Sequence, residues 1–480
     1  MNEEPQIERR PNEEGQARVA RTASIHRPLA RVVQAGMGIA KPPKTLGVGG
    51  IVVGFMLVIG IGTLLLSLPG ARQPGTDWDP IVALFTATSA VCVTGLEVTN
   101  TGEYWSTFGH VVIAGLIQVG GIGVMTASLL ILLLLRRSIS LRDRFLVREA
   151  SGIARIHSVA GLVLIITLST IIIEVIGGIA LWYQLYARYD APNSVWLATF
   201  HTISSFNNAG FEIFQNGSSL SSFAGDAVFL FTTGILIVAG GLGMLLLLDM
   251  ASKRKWGKFT FNTRIVLATS AILLVFGFLT IFFFEYTNPQ TLGNMSVTEK
   301  ATNAAFHSAS RTAGFASIDV NKANEETQFI KIILMYIGGA TGSTAGGIKV
   351  TTFAVLVLAT FAAVRGYENA TVFGRRISHR IVYRAGAVAG LYAVLIFLGA
   401  FVLIITEEFN FREILFEAVT ASGTVGWTTG ITSELSQAGR ITLTVLMFVG
   451  RLGPLTLAYM LGQRAKEPLY EQPESEVAIG

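Results

Sequence analysis

The sequence predicts an all-α membrane protein of four parallel repeats, each made of a membrane span, a re-entrant half-helix with a polar loop, and a second span. Three observations lead to this fold class. The composition suits a membrane protein, because 51% of the residues are apolar, 14% are charged and the mean hydropathy is +0.56. Eight apolar runs are long enough to cross a bilayer. A polar segment that contains a glycine recurs four times between these runs.

Each apolar run has the length of a transmembrane helix. A hydrocarbon core of about 30 Å requires roughly 20 apolar residues. The runs lie near residues 46–68, 107–135, 159–186, 227–250, 264–285, 328–362, 382–406 and 440–462. The tail before them starts with acidic residues and has no signal-peptide cleavage site, so we expect the first run to remain as a span.

The basic residues predict the orientation. Of the 36 Lys and Arg residues, 26 lie in residues 1–45, 136–158, 249–264, 364–384 and the C-terminal tail. The positive-inside bias places these five segments in the cytoplasm. We therefore predict a multi-pass protein of the cell (plasma) membrane with both termini in the cytoplasm.

The four polar segments share one layout. They read FTATSAVCVTGL (85–96), FHTISSFNNAGF (200–211), FHSASRTAGF (306–315) and FEAVTASGTVGW (416–427). Their glycines, at positions 95, 210, 314 and 426, are separated by 115, 104 and 112 residues. The stretch before each loop has about a dozen mixed residues, which is too few to cross the membrane. We expect each to enter the membrane and return.

Two spans per repeat give all four repeats the same orientation, so they can close around a central pore. The predicted order is a cytoplasmic tail (1–45), repeats at 46–158, 159–262, 263–380 and 381–463, and a second cytoplasmic tail (464–480). An irregular loop at membrane depth is tolerated only where protein or water surrounds it. The four loops are therefore predicted to line the pore.

The loops have chemistry suited to cations. Glycine permits positive φ, which lets successive carbonyl oxygens turn toward one line and replace the hydration shell of an ion. The half-helix before each loop aims its negative C-terminal end at the cavity below. A single such glycine would more simply indicate a tight turn or helix packing, but four at matching places favour an ion pathway.

The second span of each repeat carries glycines at a similar distance from its loop. The strings are VGGIG (119–123), AGGLG (239–243), IGGATGSTAGGIK (337–349) and VGRLG (449–453). They predict one weak point per inner helix. In the third, five of ten residues from 338 to 347 are Gly, which disfavours helix by roughly 5 kcal/mol. We predict a mobile, non-helical segment, the Gly-rich loop (residues 338–347), although close helix packing through small residues is the simpler alternative.

In the fourth repeat Arg451 replaces the second glycine of the pair. An Arg at mid-span costs a few kcal/mol or more, and such residues usually face a cavity on an ion pathway. Below a cation filter it would raise the barrier to passage. The alternative is a structural Arg bound to backbone carbonyls, with those of the Gly-rich loop as expected partners; both descriptions can hold together.

At these residues the sequence resembles the Ktr/Trk/HKT superfamily of potassium transporters. The motifs VCVTGL, NNAGF, RTAGF and SGTVGWTTG occur in order, with the Gly-rich third inner helix and the Arg in the fourth, across residues 46 to about 463. The resemblance implies a potassium filter formed by Val93, Thr94, Gly95, Asn208, Ala209, Gly210, Thr312, Ala313, Gly314, Thr424, Val425 and Gly426. It also implies a gate formed by Arg451, Gly338, Gly339, Gly342, Ser343, Thr344, Gly346 and Gly347.

Only one span precedes the first loop, so the chain is most similar to the eight-span Ktr-type membrane subunit. The resemblance implies K⁺ as the transported ion, Na⁺ as a candidate co-ion and no cofactor. It further implies a homodimer in membrane lipid on a cytosolic ring of nucleotide-binding regulatory subunits (the Ktr-type A subunit), with no nucleic-acid partner. Trp427 departs from the family, in which a smaller aliphatic residue usually follows the fourth filter glycine, and this departure bears on fine selectivity.

Two other function classes are weaker. An ion-coupled secondary carrier for a small solute usually shows inverted repeats, whereas these are parallel. A membrane-embedded enzyme would need clustered Asp, Glu or His within the spans, which offer little beyond Glu174. Glu174 itself could be a proton or sodium site or a hydrogen-bonded interhelical residue. We expect Arg311 to bind carbonyls, and His201 and His307 to cap or pack the half-helices.

Overall fold

The computed structural model describes residues 48–136, 159–214 and 219–453. Both predicted cytoplasmic tails, and nearly all of the basic segment 136–158, lie outside these ranges. The helices are α1 (Val48–Leu66), α2 (Pro80–Cys92), α3 (Thr101–Tyr104), α4 (Thr107–Arg136), α5 (Val159–Leu185), α6 (Ala191–Phe206), α7 (Ala227–Leu242), α8 (Met244–Lys253), α9 (Phe261–Glu285), α10 (Val297–Ala309), α11 (Glu325–Tyr336), α12 (Val350–Val364), α13 (His379–Thr406), α14 (Phe411–Gly423) and α15 (Gln437–Leu452). One antiparallel hairpin, β1 (Thr371–Val372) with β2 (Arg375–Arg376), follows α12.

The described chain is mostly helical, and its long helices are apolar. Five helices, α1, α4, α5, α9 and α13, have the length and hydropathy to cross a membrane, and the bent pair α7/α8 makes a sixth. The window Thr107–Thr126 of α4 is 61% buried, against 17% for Val163–Leu185 of α5. Helix α4 therefore lies inside the bundle, while α5 presents a broad apolar surface of the kind that lipid covers.

Short helices α2, α6, α10 and α14 are the predicted half-helices. Their starts are encoded locally, since Asp79 caps α2 ahead of Pro80 at its first position. Capping boxes begin α10, at Ser296 with Glu299, and α14, at Asn410 with Glu413. Unlike α5, helices α2 and α14 bury most of their residues, so they sit within the protein rather than against lipid.

The predicted weak points in the second spans are only partly present. Helix α7 bends by 97° into α8 at Gly243, whose φ is 80°. Helix α15 ends at Leu452, directly before Gly453, whose φ is 82°. Helix α4, however, continues unbroken through Gly121, so the prediction is wrong there. The adjacent Gly120 serves helix packing instead, because a Cβ atom on it would overlap the carbonyl oxygen of Val91 at the end of α2.

The break predicted in the second span of the third repeat is present. The run 328–362 is two helices, α11 and α12, and no helix covers residues 337–349. The ends of this stretch pair with each other, as Gly338 N–H donates to the carbonyl of Ile348 at 2.9 Å. Ala340 N–H donates to the carbonyl of Gly241, also at 2.9 Å. The break therefore folds as a closed loop against the end of α7.

Candidate functional site

The four predicted loops meet in one ring. We call residues 93–95, 208–210, 312–314 and 424–426 the first to fourth glycine segments. A Cβ atom added to each glycine would overlap the carbonyl oxygen of the residue just before the next glycine. The contacts are Gly95 to Ala209, Gly210 to Ala313, Gly314 to Val425, and Gly426 to Thr94. The contacts close on themselves in chain order, so eight of the twelve predicted ion-binding residues form one ring, and the other four directly precede them in the chain.

Positive φ angles turn the backbone at this ring, as the glycines predicted. The angles are 82° at Gly95, 76° at Gly210, 72° at Gly314 and 107° at Gly426. In three segments the residue two positions earlier is also left-handed, with φ of 54° at Val93, 59° at Asn208 and 48° at Thr424. Asn adopts this conformation more readily than most residues, but the β-branched Val93 and Thr424 rarely do, so their angles could not be predicted from the sequence. The third segment instead begins at Thr312, the last residue of a 3₁₀ turn, Ser310–Thr312.

In three of the four repeats, a side chain of the half-helix accepts a hydrogen bond from the backbone just after the glycine segment and braces it there. These residues occupy the same position, directly after a Phe in α6, α10 and α14. His201 Nε2 accepts from Ile213 N–H at 3.4 Å, His307 Nε2 from Ser317 N–H at 3.2 Å, and Glu417 Oε1 from Thr429 N–H at 3.1 Å. In these three repeats, a backbone N–H group that follows the glycine thus has a hydrogen-bond acceptor close to the ring. Aligned on their Phe residues, the repeats show His, His and Glu at this place, which could have predicted the brace.

A cavity of about 590 Å³ opens on one face of the ring, with all four glycines in its lining. Glu97 and Glu212, each two residues after a ring glycine, also line it. Glu97 Oε2 accepts from Thr101 N–H at 3.2 Å. Burial raises the pKa of Glu97 to about 7 despite this bond. The cavity therefore has an acidic, titratable edge suited to cations.

The Gly-rich loop covers the opposite face of the ring. A Cβ atom on Gly346 would overlap Oγ1 of Thr424, in the fourth glycine segment. Thr344 Oγ1 donates to Asn208 Oδ1 at 2.6 Å, in the second. Of the predicted gate residues in the loop, six are buried and Gly347 is partly exposed. The buried ones are Gly338, Gly339, Gly342, Ser343, Thr344 and Gly346.

Two buried guanidinium groups hold the loop. Arg451 Nη1 donates to the carbonyl of Thr344, which is the loop contact expected from the sequence. Arg311 Nη1 donates to the carbonyls of Ile337 and, at 3.3 Å, Gly338. The predicted binding of Arg311 to carbonyls is therefore confirmed. A planar group that donates several hydrogen bonds suits this task better than an ammonium group.

Trp427, the departure from the family pattern, packs behind the ring. Its indole is 1% exposed and Nε1 donates to the carbonyl of Phe315 at 2.9 Å. The ring stacks on His307 with centroids 5.8 Å apart, and Lys331 Nζ lies 4.5 Å from its centroid. The side chain thus links the third and fourth repeats, because Phe315 follows Gly314 and Trp427 follows Gly426.

Glu174 belongs to a hydrogen-bonded cluster beside the second segment. Its Oε1 accepts from Asn207 Nδ2 at 3.0 Å, and its Oε2 accepts from Gln118 Nε2 at 2.9 Å. These contacts join α5, α4 and the end of α6, which fits the interhelical description of Glu174. Within the described ranges, no three or more His, Cys, Asp or Glu converge as ligands of a metal ion.

Comparison with known proteins gives consistent matches. The family model of the TrkH cation transport proteins matches residues 47–466. The Ktr system potassium uptake protein B of Bacillus subtilis is 39% identical over 440 residues, which are 92% of this chain and 97% of that protein. The potassium/sodium uptake protein NtpJ of Enterococcus hirae is 36% identical, over 90% and 96% of the two chains. The solved structure of the potassium transporter TrkH from Vibrio parahaemolyticus has the same fold, with a TM-score of 0.69 at 18% identity and coverage of 88% and 86%.

Proposed function

This chain belongs to the TrkH family of cation transport proteins, and from that premise we propose that it is the ion-translocating membrane subunit of a potassium uptake system. The observation that carries the proposal is the ring, in which each glycine faces the carbonyl before the next glycine. The names of the B. subtilis and E. hirae relatives supply potassium as the ion. The family consists of transport proteins, and we assign no enzymatic reaction to this chain.

We propose that the four glycine segments are the selectivity filter. Carbonyl dipoles placed around one axis can replace the hydration shell of K⁺. The carbonyls of Thr94, Ala209, Ala313 and Val425, each next to a ring glycine, are the proposed inner ligands. The residues one position earlier, Val93, Asn208, Thr312 and Thr424, complete the filter. The acidic cavity around Glu97 and Glu212 supplies ions to it, since negative charge raises the local cation concentration.

We further propose that the Gly-rich loop and Arg451 form the gate. The loop lies against the face of the ring opposite the cavity and contacts the second and fourth segments. Arg451 is 5% exposed and donates to the loop. A buried positive charge next to a cation path raises the barrier to passage. Movement of both groups would open the path.

The membrane arrangement belongs to the same proposal. Four parallel repeats surround the pore, and α11 with α12 counts as one broken span in a total of eight. The run 440–462 supplies the last span, of which α15 is the described part. Both termini lie in the cytoplasm, where the basic segments concentrate. The subunit forms a homodimer in the cell membrane on a cytosolic nucleotide-binding ring, in keeping with the relatives named as parts of a Ktr system.

Growth rescue tests the function. Cells that lack their own potassium uptake are given this chain, with or without a Ktr-type ring subunit, and are grown at low K⁺ in the presence and absence of Na⁺. We expect growth with the ring subunit, together with rubidium uptake. Dependence on Na⁺ would assign Na⁺ a role as co-ion. Absence of growth and uptake in both combinations, with the protein present in the membrane, would contradict the proposal.

A further inference from the structure

We propose that Asn208 is a positioning residue that couples the Gly-rich loop to the filter, an inference that rests on the filter and gate roles proposed above. Asn208 belongs to the second glycine segment, and its side chain reaches three other parts of the chain. Its amide is fully buried. It thus connects the two parts of the transport path that the proposed function treats separately.

The contacts of this amide fix its orientation. Nδ2 donates to the carbonyl of Ile237 at 3.2 Å and to Thr312 Oγ1 at 2.8 Å. A carbonyl can only accept, so the nitrogen must face Ile237 and the oxygen must face Thr344. Thr344 Oγ1 then donates to Oδ1 at 2.6 Å. One amide therefore joins α7, the third glycine segment and the Gly-rich loop.

The connection continues to the gate Arg. The carbonyl of Thr344 accepts a hydrogen bond from Arg451 Nη1. The backbone N–H of Thr344 donates to the carbonyl of Gly240 at 3.3 Å. Arg451 Nε and Nη2 find no hydrogen-bond partner within the described ranges. Among the described residues, the guanidinium group of Arg451 is therefore held by its hydrogen bond to Thr344. Arg451, Thr344, Asn208 and Thr312 form one continuous path from gate to filter.

The backbone does not explain why this residue is Asn. Val93 and Thr424 adopt the same left-handed conformation in the first and fourth segments, so the conformation can be reached without an amide. Val93 has no polar side-chain atom, and Thr424 Oγ1 has no hydrogen-bond partner among the described residues. Among these three residues, only Asn208 bonds the loop through its side chain. The hydrogen bonds are the property that distinguishes it.

Displacement of the loop would therefore change the filter. If Thr344 moves with the loop, Oδ1 of Asn208 loses its donor in a buried site, which is unfavourable, and the amide must turn or shift. Its bond to Thr312 shifts with it, so the second and third segments change together. Coupling of this kind is reciprocal: ion occupancy of the filter must also affect the position of the loop.

Substitutions at Arg451 and at Thr344, which is one end of the bond to Asn208, test the inference. Arg451→Gln is made in the wild type and in Thr344→Val, which keeps the shape of the side chain but lacks the hydroxyl; Thr344→Ser is the matched control that retains it. Rubidium and sodium uptake give two readouts, the maximal rate and the ion preference. We expect Arg451→Gln to raise the rate in each background. We expect it to change the rubidium-to-sodium ratio by about fivefold, the scale of one hydrogen bond, in the wild type and Thr344→Ser but not in Thr344→Val.

A second pair of variants allows for poor folding of Thr344→Val. Thr312→Val removes the acceptor at the filter end of the path, with Thr312→Ser as its control, and the same loss of the ratio change is expected. A rate increase with equal ratios in every background would overturn the coupling and leave the gate intact. An unchanged rate for Arg451→Gln in the wild type would instead overturn the gate role, and the coupling with it.

Discussion

Trp427 Nε1 donates a hydrogen bond of 2.9 Å to the carbonyl of Phe315, so that the residue after the fourth ring glycine holds the residue after the third. Trp427→Phe keeps an aromatic ring for His307 but loses this bond. We expect sodium to compete about three to ten times better against rubidium, since one neutral hydrogen bond is worth about 1 kcal/mol. Competition uptake measures the ratio. A Trp427→Phe protein with wild-type preference would show that the indole only fills space.

Substitution of a ring glycine should disturb its neighbour. A side chain on Gly95 would overlap the carbonyl oxygen of Ala209, and its φ of 82° is unfavourable for any other residue. We expect Gly95→Ser to weaken the preference for potassium over sodium. The matched control is Gly75→Ser, which has a similar φ of 89° but open space around its Cβ position. The measurement is the competition of sodium against rubidium uptake. If sodium competes equally well in both variants, Gly95 does not belong to the filter.

The gate charge has a predicted sign. At roughly 8 Å and an effective dielectric near 20, Arg451 opposes a passing cation by about 2 kcal/mol. Arg451→Gln should therefore raise the maximal uptake rate, by at most about thirtyfold. Arg451→Lys keeps the charge and should remain closer to the wild type. Neither variant replaces a filter residue, so we expect the filter to change only by the roughly fivefold effect on ion preference that the coupling through Asn208 predicts. A well-inserted Gln variant with the wild-type rate would make Arg451 a structural residue.

Gly346 allows a minimal test of the Gly-rich loop. Its Cβ position overlaps Thr424 Oγ1, so Gly346→Ala should push the loop away from the ring. We expect faster uptake that depends less on the regulatory ring subunit. Gly386→Ala on α13, with open space around its Cβ position, is the control. Wild-type rate and regulation in Gly346→Ala would indicate that the loop is a packing joint.

Uptake should depend on pH through Glu97. Because burial raises the pKa of Glu97 to about 7, the carboxylate is negative above this pH and neutral below it. The negative form, beside Glu212, attracts cations to the cavity, so the apparent affinity for rubidium should fall as the pH is lowered from about 8 to about 6. Glu97→Gln should abolish this dependence, whereas Glu103→Gln, an exposed acid on α3, should retain it. An unaltered pH profile in Glu97→Gln would exclude this role.

The recurrence of one glycine at a fixed period predicted where the ring would form. It did so because the requirement for positive φ is local and shows directly in the sequence. The break in the third inner helix was predictable for the same reason, since glycine content acts through local helix propensity. The left-handed Val93 and Thr424 were not predictable, because their conformation is imposed by the surrounding structure against local preference.

Contacts between distant parts of the chain were harder to predict. Arg451 suggested its own partner, since a buried charge within a span requires acceptors and the Gly-rich loop offers free carbonyls. The bond from Thr344 to Asn208 had no such sign, because both residues are ordinary polar residues in loops. Likewise, the sequence around Trp427 shows only that this residue is unusual at its position, and not which residue it contacts. Its meaning depends on Phe315, which lies in another repeat.

The ring closes between Gly426 and Thr94, residues about 330 positions apart in the sequence. Its contacts otherwise follow chain order, so synthesis adds the first three segments in sequence and leaves a gap until the fourth is inserted. A chain that stops before residue 426 would have three segments without a closing neighbour and unsatisfied polar backbone at membrane depth. The filter proposed for this ring would therefore be complete only once the fourth segment has been inserted.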